Sequence, residues 1–292
     1  WEFCTEIRDH ESYKDIPIIM ITTRATELDQ KKGEILGVSA YLTKPFQKND
    51  LKASVDMAIN NAKIKKEQET IAKFVAADTI RAVNDMIDGG EDVKKGENKF
   101  ITVLFSDICE FSPKCEKFSA RKIVKLLNTY FDLMVEVLSK YDAIIDKFIG
   151  DAIVARFDSG DPETDARNAI WAAWEMCTEL KKFNLDSFEE IQCRIGINSG
   201  EVILGSLGCE RHRLEYAMIG DNVNIGQRLE SAAPKQGVLF SEATYDLVKK
   251  YVVVGELQEV EVKGKKEKVP AYILDGVVSG NNSLAESGVN GK

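Results

Sequence analysis

The chain has 292 residues and a formal net charge of −9, with an isoelectric point near 5.1. This acidic balance argues against a general nucleic-acid-binding protein, because contact with phosphates needs a basic surface. Hydrophobic residues make up 44% of the chain and charged residues 30%, which is usual for a globular protein of one large domain or two.

Neither a membrane span nor an oxidising compartment is indicated. No apolar run approaches the ~20 residues needed to cross a bilayer, and there is no signal peptide. The six cysteines contain no CxxC pair and are scattered through apolar surroundings, which favours buried, reduced thiols. We therefore expect a cytoplasmic protein, and the start at Trp1 rather than at Met indicates a fragment of a longer chain.

Residues 1–60 alternate between predicted strands and helices. Short apolar strands are predicted at 17–22 and 38–42, with a glycine-terminated helix at 28–37 between them. A Thr-Lys-Pro-Phe sequence at 43–46 and a further helix follow. This pattern predicts part of an α/β domain.

That segment resembles the C-terminal half of response-regulator receiver domains. The resemblance implies that Thr22, Tyr41 and Lys44 form the phosphorylation switch of that family. It also implies a phosphorelay, in which a histidine kinase acts upstream of the full-length protein. The family's phospho-accepting aspartate lies on strands that precede this segment, so we expect that residues 1–60 alone cannot accept phosphate.

Residues 61–98 are predicted to form a helical linker. A helical pattern continues from Asp50 to about Asp88 without a proline, and a Gly-Gly-Glu-Asp sequence at 89–92 ends it. The heptad pattern is imperfect, so we expect a long connecting helix with at most a short coiled coil.

Two aspartates are each predicted to lie at the end of a strand. Asp107 follows the apolar run 100–105, and Asp151 follows Gly150 in a predicted strand–turn–strand segment. Taken alone, each aspartate is better explained as the polar end of a strand. As a pair at one sheet edge, they could hold divalent cations against a triphosphate.

The remainder of the chain predicts further helices and hairpins. Helices are predicted after Ser119 and from Asp161-Pro162, with apolar residues at a period of 3.6. Residues 194–200 and 201–205 are predicted to be two strands joined by a turn at Ser199-Gly200. A hairpin is predicted from 256–262 and 269–274, and the Gly/Asn/Ser-rich tail 277–292 is predicted to be disordered.

Residues 99–276 resemble the catalytic domain of class III nucleotidyl cyclases. The resemblance is carried by five ordered motifs: Leu104-Phe-Ser-Asp-Ile108, Asp146-Lys-Phe-Ile-Gly-Asp-Ala152, Arg194-Ile-Gly-Ile-Asn-Ser-Gly-Glu201, Ile219-Gly-Asp-Asn-Val-Asn-Ile225 with Arg228-Leu-Glu230, and Val262-Lys-Gly-Lys265. It implies an α+β fold with a ferredoxin-like palm, in which helices flank a central, mostly antiparallel sheet.

The resemblance also assigns a role to individual residues. Asp107, Asp151 and the backbone carbonyl of Ile108 would bind two Mg²⁺ or Mn²⁺ ions. Arg228 would stabilise the α-phosphate in the transition state, and Asn224, four residues earlier on the same helix face, would orient the ribose. Lys263 would bind the terminal phosphates, and Arg213 is a weaker candidate for the same contact.

Base recognition departs from the family's pattern. Lys147 stands where adenylate cyclases place a lysine for adenine N1 and where guanylate cyclases place a glutamate. Its usual partner, an Asp or Thr that accepts from the adenine amino group, is replaced by Ala217. Glu110 stands where the family usually has a glycine in the phosphate loop, and its carboxylate would disfavour a triphosphate unless it pointed away.

The resemblance thus implies an adenylate cyclase that converts ATP to cyclic AMP and pyrophosphate in a signalling protein. Its active sites would be shared across a homodimer, with Asp107 and Asp151 from one protomer and Lys147, Asn224, Arg228 and Lys263 from the other. Two alternatives remain open: a guanylate cyclase, and a degenerate cyclase fold that binds nucleotide without catalysis.

Overall fold

The structure is a computed structural model that describes residues 1–23, 27–72, 75, 79–81, 83–84, 96–209, 212–261, 268–279 and 283–285. The chain divides into two compact units, Trp1–Val75 and Ala76–Lys292. Across those described ranges, no helix is both long enough and apolar enough to cross a membrane.

The first unit is a small α/β arrangement. Its elements are α1 (Glu2–Asp9), β1 (Ile18–Thr22), α2 (Glu27–Ile35), β2 (Val38–Thr43) and α3 (Lys48–Ala72). The two predicted strands are present and pair in parallel, with Thr22 opposite Thr43. The long helix predicted to reach about Asp88 is continuous to Ala72, and residues 79–81 and 83–84 are again helical. The predicted glycine stop at 89–92 lies outside the described residues.

The second unit is built on a mixed sheet of nine described strands. Its elements are β3 (Glu97–Ile108), α4 (Phe111–Lys117), α5 (Ala120–Lys140), β4 (Ile144–Ile149), β5 (Ala152–Phe157), α6 (Pro162–Asp186), β6 (Cys193–Cys209), β7 (Arg213–Ile219), α7 (Asp221–Ala232), β8 (Gly237–Ser241), α8 (Glu242–Val248), β9 (Val252–Val260), β10 (Val269–Ser279) and β11 (Ser283–Ala285). The strand order is β11-β10-β8-β6-β3-β5-β4, with β7 paired to β6 and β9 to β10. Every pair is antiparallel except β6 with β8.

Alternating residues of β3 fill a core on each face of this sheet. Leu104 and Ile108 belong to the cluster that includes the buried faces of α5 and α6. Val103 and Phe105 point the other way, where a Cβ on Gly226 of α7 would lie 2.8 Å from Val103 Cγ2. The expected sheet with flanking helices is confirmed, and the buried residues of β3 lead directly to Asp107 near its C-terminal end.

The predicted turn at Ser199-Gly200 is wrong. Strand β6 is continuous through this point because β3 pairs with it along its first twelve residues, from Ile108 opposite Cys193 to Glu97 opposite Leu204. A Cβ on Gly200 would lie 2.4 Å from Asn222 Cγ. The glycine therefore permits close packing of α7 on the strand, a role that a sequence pattern does not distinguish from a turn.

The predicted disorder of the tail is wrong for its first residues. Val277 is 7% exposed and pairs with Val252, so β10 continues to Ser279. A short strand, Ser283–Ala285, then pairs back on β10. Burial of Val277 against the core stabilises an ordered strand here, although the sequence around it is polar. The remaining residues of the predicted tail lie outside the described residues.

Candidate active site

Two aspartates lie where β3 ends and β4 turns into β5. Asp107 is the penultimate residue of β3, and Asp151 follows Gly150, whose φ of 65° is one that glycine adopts without steric cost. Strands β3 and β5 pair up to Ser106 opposite Ile153. Just beyond that pair, the two carboxyl groups come close enough to share a hydrogen bond.

The environment of this pair disfavours two negative charges. Burial, followed by the charge of Asp107, raises the pKa of Asp151 to about 6. Burial also raises the pKa of Asp107, although the nearby Arg194 charge opposes the shift. The backbone N–H of Ile108 lies near both carboxylates and opposes both upward shifts of pKa. A cation placed between the aspartates would relieve their repulsion.

The donor set fits a hard divalent cation that keeps other ligands. Carboxylate oxygens are the protein ligands that Mg²⁺ and Mn²⁺ prefer, and Mg²⁺ typically takes its remaining ligands from water and substrate phosphates. No cluster of three or more His, Cys, Asp or Glu side chains suited to a metal occurs in the part of the chain that is described. The aspartate pair therefore fits an ion that a phosphate substrate helps to hold.

An ion-pair chain that the sequence reading missed connects Asp107 to α7. Arg194, opposite Asp107 in the sheet, places Nη2 3.9 Å from Asp107 Oδ2 and Nε 3.6 Å from Glu230 Oε1. Burial, followed by the charge of Asp107, raises the pKa of Glu230 to about 7. The only sequence signal was their place in the Arg194 and Arg228-Leu-Glu230 motifs. Arg194 thus lies between two carboxyl groups and holds α7 against the end of β3.

Helix α7 presents Asn224 and Arg228 on its outer face. Ile225 and Leu229 are buried against the sheet, while Asn224 and Arg228 are exposed one turn apart. In the described part of the chain, neither of the two side chains makes a hydrogen bond or ion pair, and neither is among the causes of the pKa shifts of Asp107 and Asp151. Among the described residues of one chain, no hydrogen bond or ion pair links these residues to the aspartate pair.

The expected base-reading residues lie on β4 and β7. The Lys147 ammonium donates a hydrogen bond to Glu215 and lies 3.6 Å from Asp146 Oδ2. Burial alone would lower the pKa of Lys147, but the hydrogen bond with Glu215 and the charge of Asp146 raise it. Ala217 lies two residues after Glu215 on β7 and is half-buried. Sequence reasoning did not single out Glu215.

Comparison with known proteins identifies the family. Residues 93–276 match the family described as the adenylate and guanylate cyclase catalytic domain. The chain belongs to that family. It is 32% identical over 219 residues to the terminal-differentiation-specific adenylate cyclase of Dictyostelium discoideum, a match that covers 72% of this chain and 10% of that relative.

Solved structures with the same fold include cyclases named for either nucleotide. The adenylyl cyclase CyaB from P. aeruginosa is 30% identical with a TM-score of 0.59, and the match covers 65% of this chain and 99% of that one. The guanylyl cyclase Cya2 is 32% identical with a TM-score of 0.61 and the same coverage. The chain spans 10%, 28% and 46% of the lengths of three curated adenylate cyclase relatives. These likenesses leave the choice between ATP and GTP open.

In this cyclase domain, Glu110 adopts the backbone conformation that explains the family's usual glycine. Its φ of 54° and ψ of 38° are left-handed, and α4 begins at the next residue. Its carboxylate accepts a hydrogen bond of 2.7 Å from Lys235, and this bond, together with the lysine's charge, lowers the pKa of Glu110. The charge that would oppose a triphosphate is therefore paired with a lysine.

Glu110→Gly is expected to be more stable than Glu110→Ala. Both changes remove the carboxylate and its ion pair, but only glycine accepts the left-handed conformation without strain. We expect the Gly variant to melt about 2–4 °C above the Ala variant. Thermal unfolding of the two proteins in one buffer measures this difference, and equal melting temperatures would contradict the strain assigned to position 110.

The structure describes the remaining predicted site residues to different extents. Lys263 lies outside the described residues, and for Arg213 only the backbone is described, as the first residue of β7. In the first unit, the Lys44 backbone N–H donates to the Thr22 carbonyl at 2.7 Å, and the Tyr41 hydroxyl donates to the Asp29 carbonyl at 2.7 Å. The backbone of Thr22 is therefore next to that of Lys44.

Proposed function

We propose that this cyclase domain is an adenylate cyclase, which converts ATP to 3′,5′-cyclic AMP and pyrophosphate. The observation that carries the proposal is the ammonium group of Lys147, held on β4 by carboxylates on either side. A lysine can donate to N1 of adenine, which is an acceptor, whereas N1 of guanine carries a hydrogen and cannot accept. Adenylate cyclases among the relatives add support.

The reaction is an intramolecular displacement at the α-phosphorus. The ribose 3′-oxygen bonds to that phosphorus and loses its proton, while the bond to the oxygen that bridges the α- and β-phosphates breaks. Pyrophosphate leaves with the electron pair of that bond. No covalent enzyme intermediate is needed, so the protein contributes through positioning and charge stabilisation.

Each predicted residue has a role in this displacement. Mg²⁺ or Mn²⁺, two ions per site, would be held by Asp107, Asp151 and the Ile108 carbonyl and would supply Lewis-acid chemistry at the α-phosphate and the 3′-hydroxyl. Arg228 offsets charge that develops on the α-phosphate, and Asn224 holds the ribose so that its 3′-oxygen faces the phosphorus. Lys263 and, more weakly, Arg213 bind the terminal phosphates.

We further propose that the site is shared between two copies of the chain. Asn224 and Arg228 project from the exposed face of α7, and among the described residues no hydrogen bond or ion pair joins them to the aspartate pair. A head-to-tail homodimer would bring the aspartates of one protomer to the α7 face of its partner. Such a dimer contains two equivalent sites, and a monomer contains none.

Product analysis with both nucleotides tests the substrate. We expect the purified protein with Mg²⁺ or Mn²⁺ to form cyclic AMP from ATP faster than cyclic GMP from GTP. Lys147→Glu is expected to lower the ratio of the two kcat/KM values by about tenfold or more, because the carboxylate can pair with the hydrogen-bearing edge of guanine but repels adenine N1. A preference for GTP in the unaltered protein would overturn the proposal.

Guanylate cyclase is the second candidate, and Ala217 is the residue that favours it. Its methyl group cannot accept a hydrogen bond from the adenine amino group, so part of the usual selection for ATP is absent at that position. A non-catalytic nucleotide-binding domain is the third candidate. It would bind ATP but form no product in the same assay.

For the first unit, we propose a receiver-type switch. The parallel pair β1–β2 and the adjacent backbones of Thr22 and Lys44 support that proposal. In the full-length protein, a histidine kinase in the cytoplasm would then control cyclase output. Phosphotransfer from a histidine kinase to the full-length protein, followed by cyclase assay, tests this role.

A further inference from the structure

A carboxylate lies beside the base-reading lysine at a position that the family resemblance does not assign. Glu215 is on β7 and accepts a hydrogen bond from the Lys147 ammonium. The Glu215 side chain is 47% exposed and the Lys147 side chain 33% exposed, so a ligand can reach the pair. The second carboxylate near the lysine, that of Asp146, is 3.6 Å away but only 4% exposed. Glu215 is therefore the accessible acceptor of the two.

Glu215 and Ala217 occupy one face of β7. Side chains two residues apart on a strand point to the same side and are separated by about 7 Å along the strand. The β7 residues Glu215 and Ala217 lie opposite Leu207 and Gly205 of β6. Tyr216 and Met218, which alternate with them, pack against the core cluster of the other face. Position 217 lacks a hydrogen-bond acceptor, but the Glu215 carboxylate lies on the same surface and already contacts Lys147.

We propose that Glu215 accepts the hydrogen bond from the adenine amino group and so replaces the acceptor that Ala217 lacks. This inference rests on the proposed adenylate cyclase function. Adenine presents an acceptor at N1 next to a donor at its amino group, and the Lys147–Glu215 pair offers a donor next to an acceptor. Asp146 remains to hold the lysine when Glu215 turns to the base.

The same pair disfavours guanine in this orientation. Guanine carries a carbonyl oxygen where adenine carries the amino group, and N1 bears a hydrogen. The Glu215 carboxylate would then face an oxygen and the Lys147 ammonium would face an N–H group. Each unmatched polar pair at a binding site lowers affinity, so Glu215 contributes to the preference for ATP.

A substrate that lacks the amino group can show whether Glu215 contacts the base or only positions Lys147. Purine riboside triphosphate keeps N1 but has no amino group, so it can use Lys147 but not Glu215. We expect the unaltered protein to prefer ATP over this analogue by about tenfold or more in kcat/KM. In Glu215→Ala, ATP turnover should fall to about the level of the analogue, and the preference should vanish.

A second change provides a rescue. Glu215→Ala combined with Ala217→Thr should regain much of the preference for ATP over the analogue, because the threonine hydroxyl restores an acceptor where the family usually has one. In the unaltered background, Ala217→Thr should change the preference little. Glu179→Ala is the matched control, since Glu179 also pairs with a lysine, Lys182 at 2.7 Å, but lies on α6.

The outcomes distinguish the two proposals. If the unaltered protein forms no cyclic AMP, the proposed function fails. If it forms cyclic AMP but Glu215→Ala lowers turnover of ATP and of the analogue equally, Glu215 only positions Lys147 and the assignment as base acceptor is overturned. A larger loss for GTP than for ATP in Glu215→Gln would also overturn it. Unchanged thermal unfolding of each variant excludes a folding defect as the cause.

Discussion

Asp107→Asn and Asp151→Asn will each lower the rate of cyclic-nucleotide formation by at least about a hundredfold. Each change keeps the size of the side chain but removes one charged oxygen ligand from the pair at the end of β3. Product formation with ATP and Mn²⁺ over a range of metal concentrations measures the effect. Asp132→Asn, at an exposed position of α5, is the matched control and should retain activity.

The same variants should be more stable than the unaltered protein when metal is removed. The pKa of Asp151 is raised to about 6 by burial and by Asp107, so at pH 7.5 the folded state holds two unfavourable charges. Removing the charge of Asp151 is expected to stabilise the fold by about 1 kcal/mol, a figure reduced for its partial exposure. Removing the charge of Asp107 should give a smaller gain, because its attraction to Arg194 is lost as well. Thermal unfolding in a chelator should show a rise of about 2–4 °C.

A loss of activity without this gain in stability would indicate general damage at the site rather than loss of a metal ligand. Near-normal turnover in both variants would contradict the two-metal proposal. Added Mn²⁺ should narrow the difference in melting temperature, because the cation offsets the repulsion in the unaltered protein only.

The strand-end position of each aspartate could be predicted from sequence because its determinants are local. An apolar strand ends at Asp107, and a glycine-containing turn between two short strands precedes Asp151. The hairpin β4–β5 followed from these patterns, whereas its pairing with β3, which brings the two aspartates together, did not. Sequence patterns of this kind indicate which residues end a strand. Asp107 and Asp151 are 44 positions apart in the chain, so their proximity was expected from the family resemblance and not from the local pattern.

The ion pairs and hydrogen bonds around the site could not be predicted, because they join residues far apart in the chain. Glu215 reaches Lys147 across 68 positions, and Arg194 reaches Glu230 across 36. Gly200 was read as a turn because a glycine that permits helix packing looks the same in sequence. At Glu110, the departure from the family's glycine was visible, but its pairing with Lys235 was not.

Mixing two inactive variants is expected to restore activity. Asp107→Asn leaves the α7 face intact, and Arg228→Ala leaves the aspartate pair intact. In the shared-site homodimer, a heterodimer of these chains has one site with both defects and one with neither. If chains exchange freely at equal concentrations, half of the dimers are mixed, so activity should return to about a quarter of that of the unaltered protein.

A mixture of Asp107→Asn with Asp151→Asn is the matched control for this experiment. Both changes affect the same half of a site, so each site of that heterodimer retains one defect and the mixture should stay inactive. Differently tagged chains that purify together would establish that exchange has occurred. Given exchange, no recovery with Arg228→Ala would contradict the shared site, because Arg228 would then act on the aspartates of its own chain. Recovery in both mixtures would contradict it too, since activity would not depend on which half carries the defect.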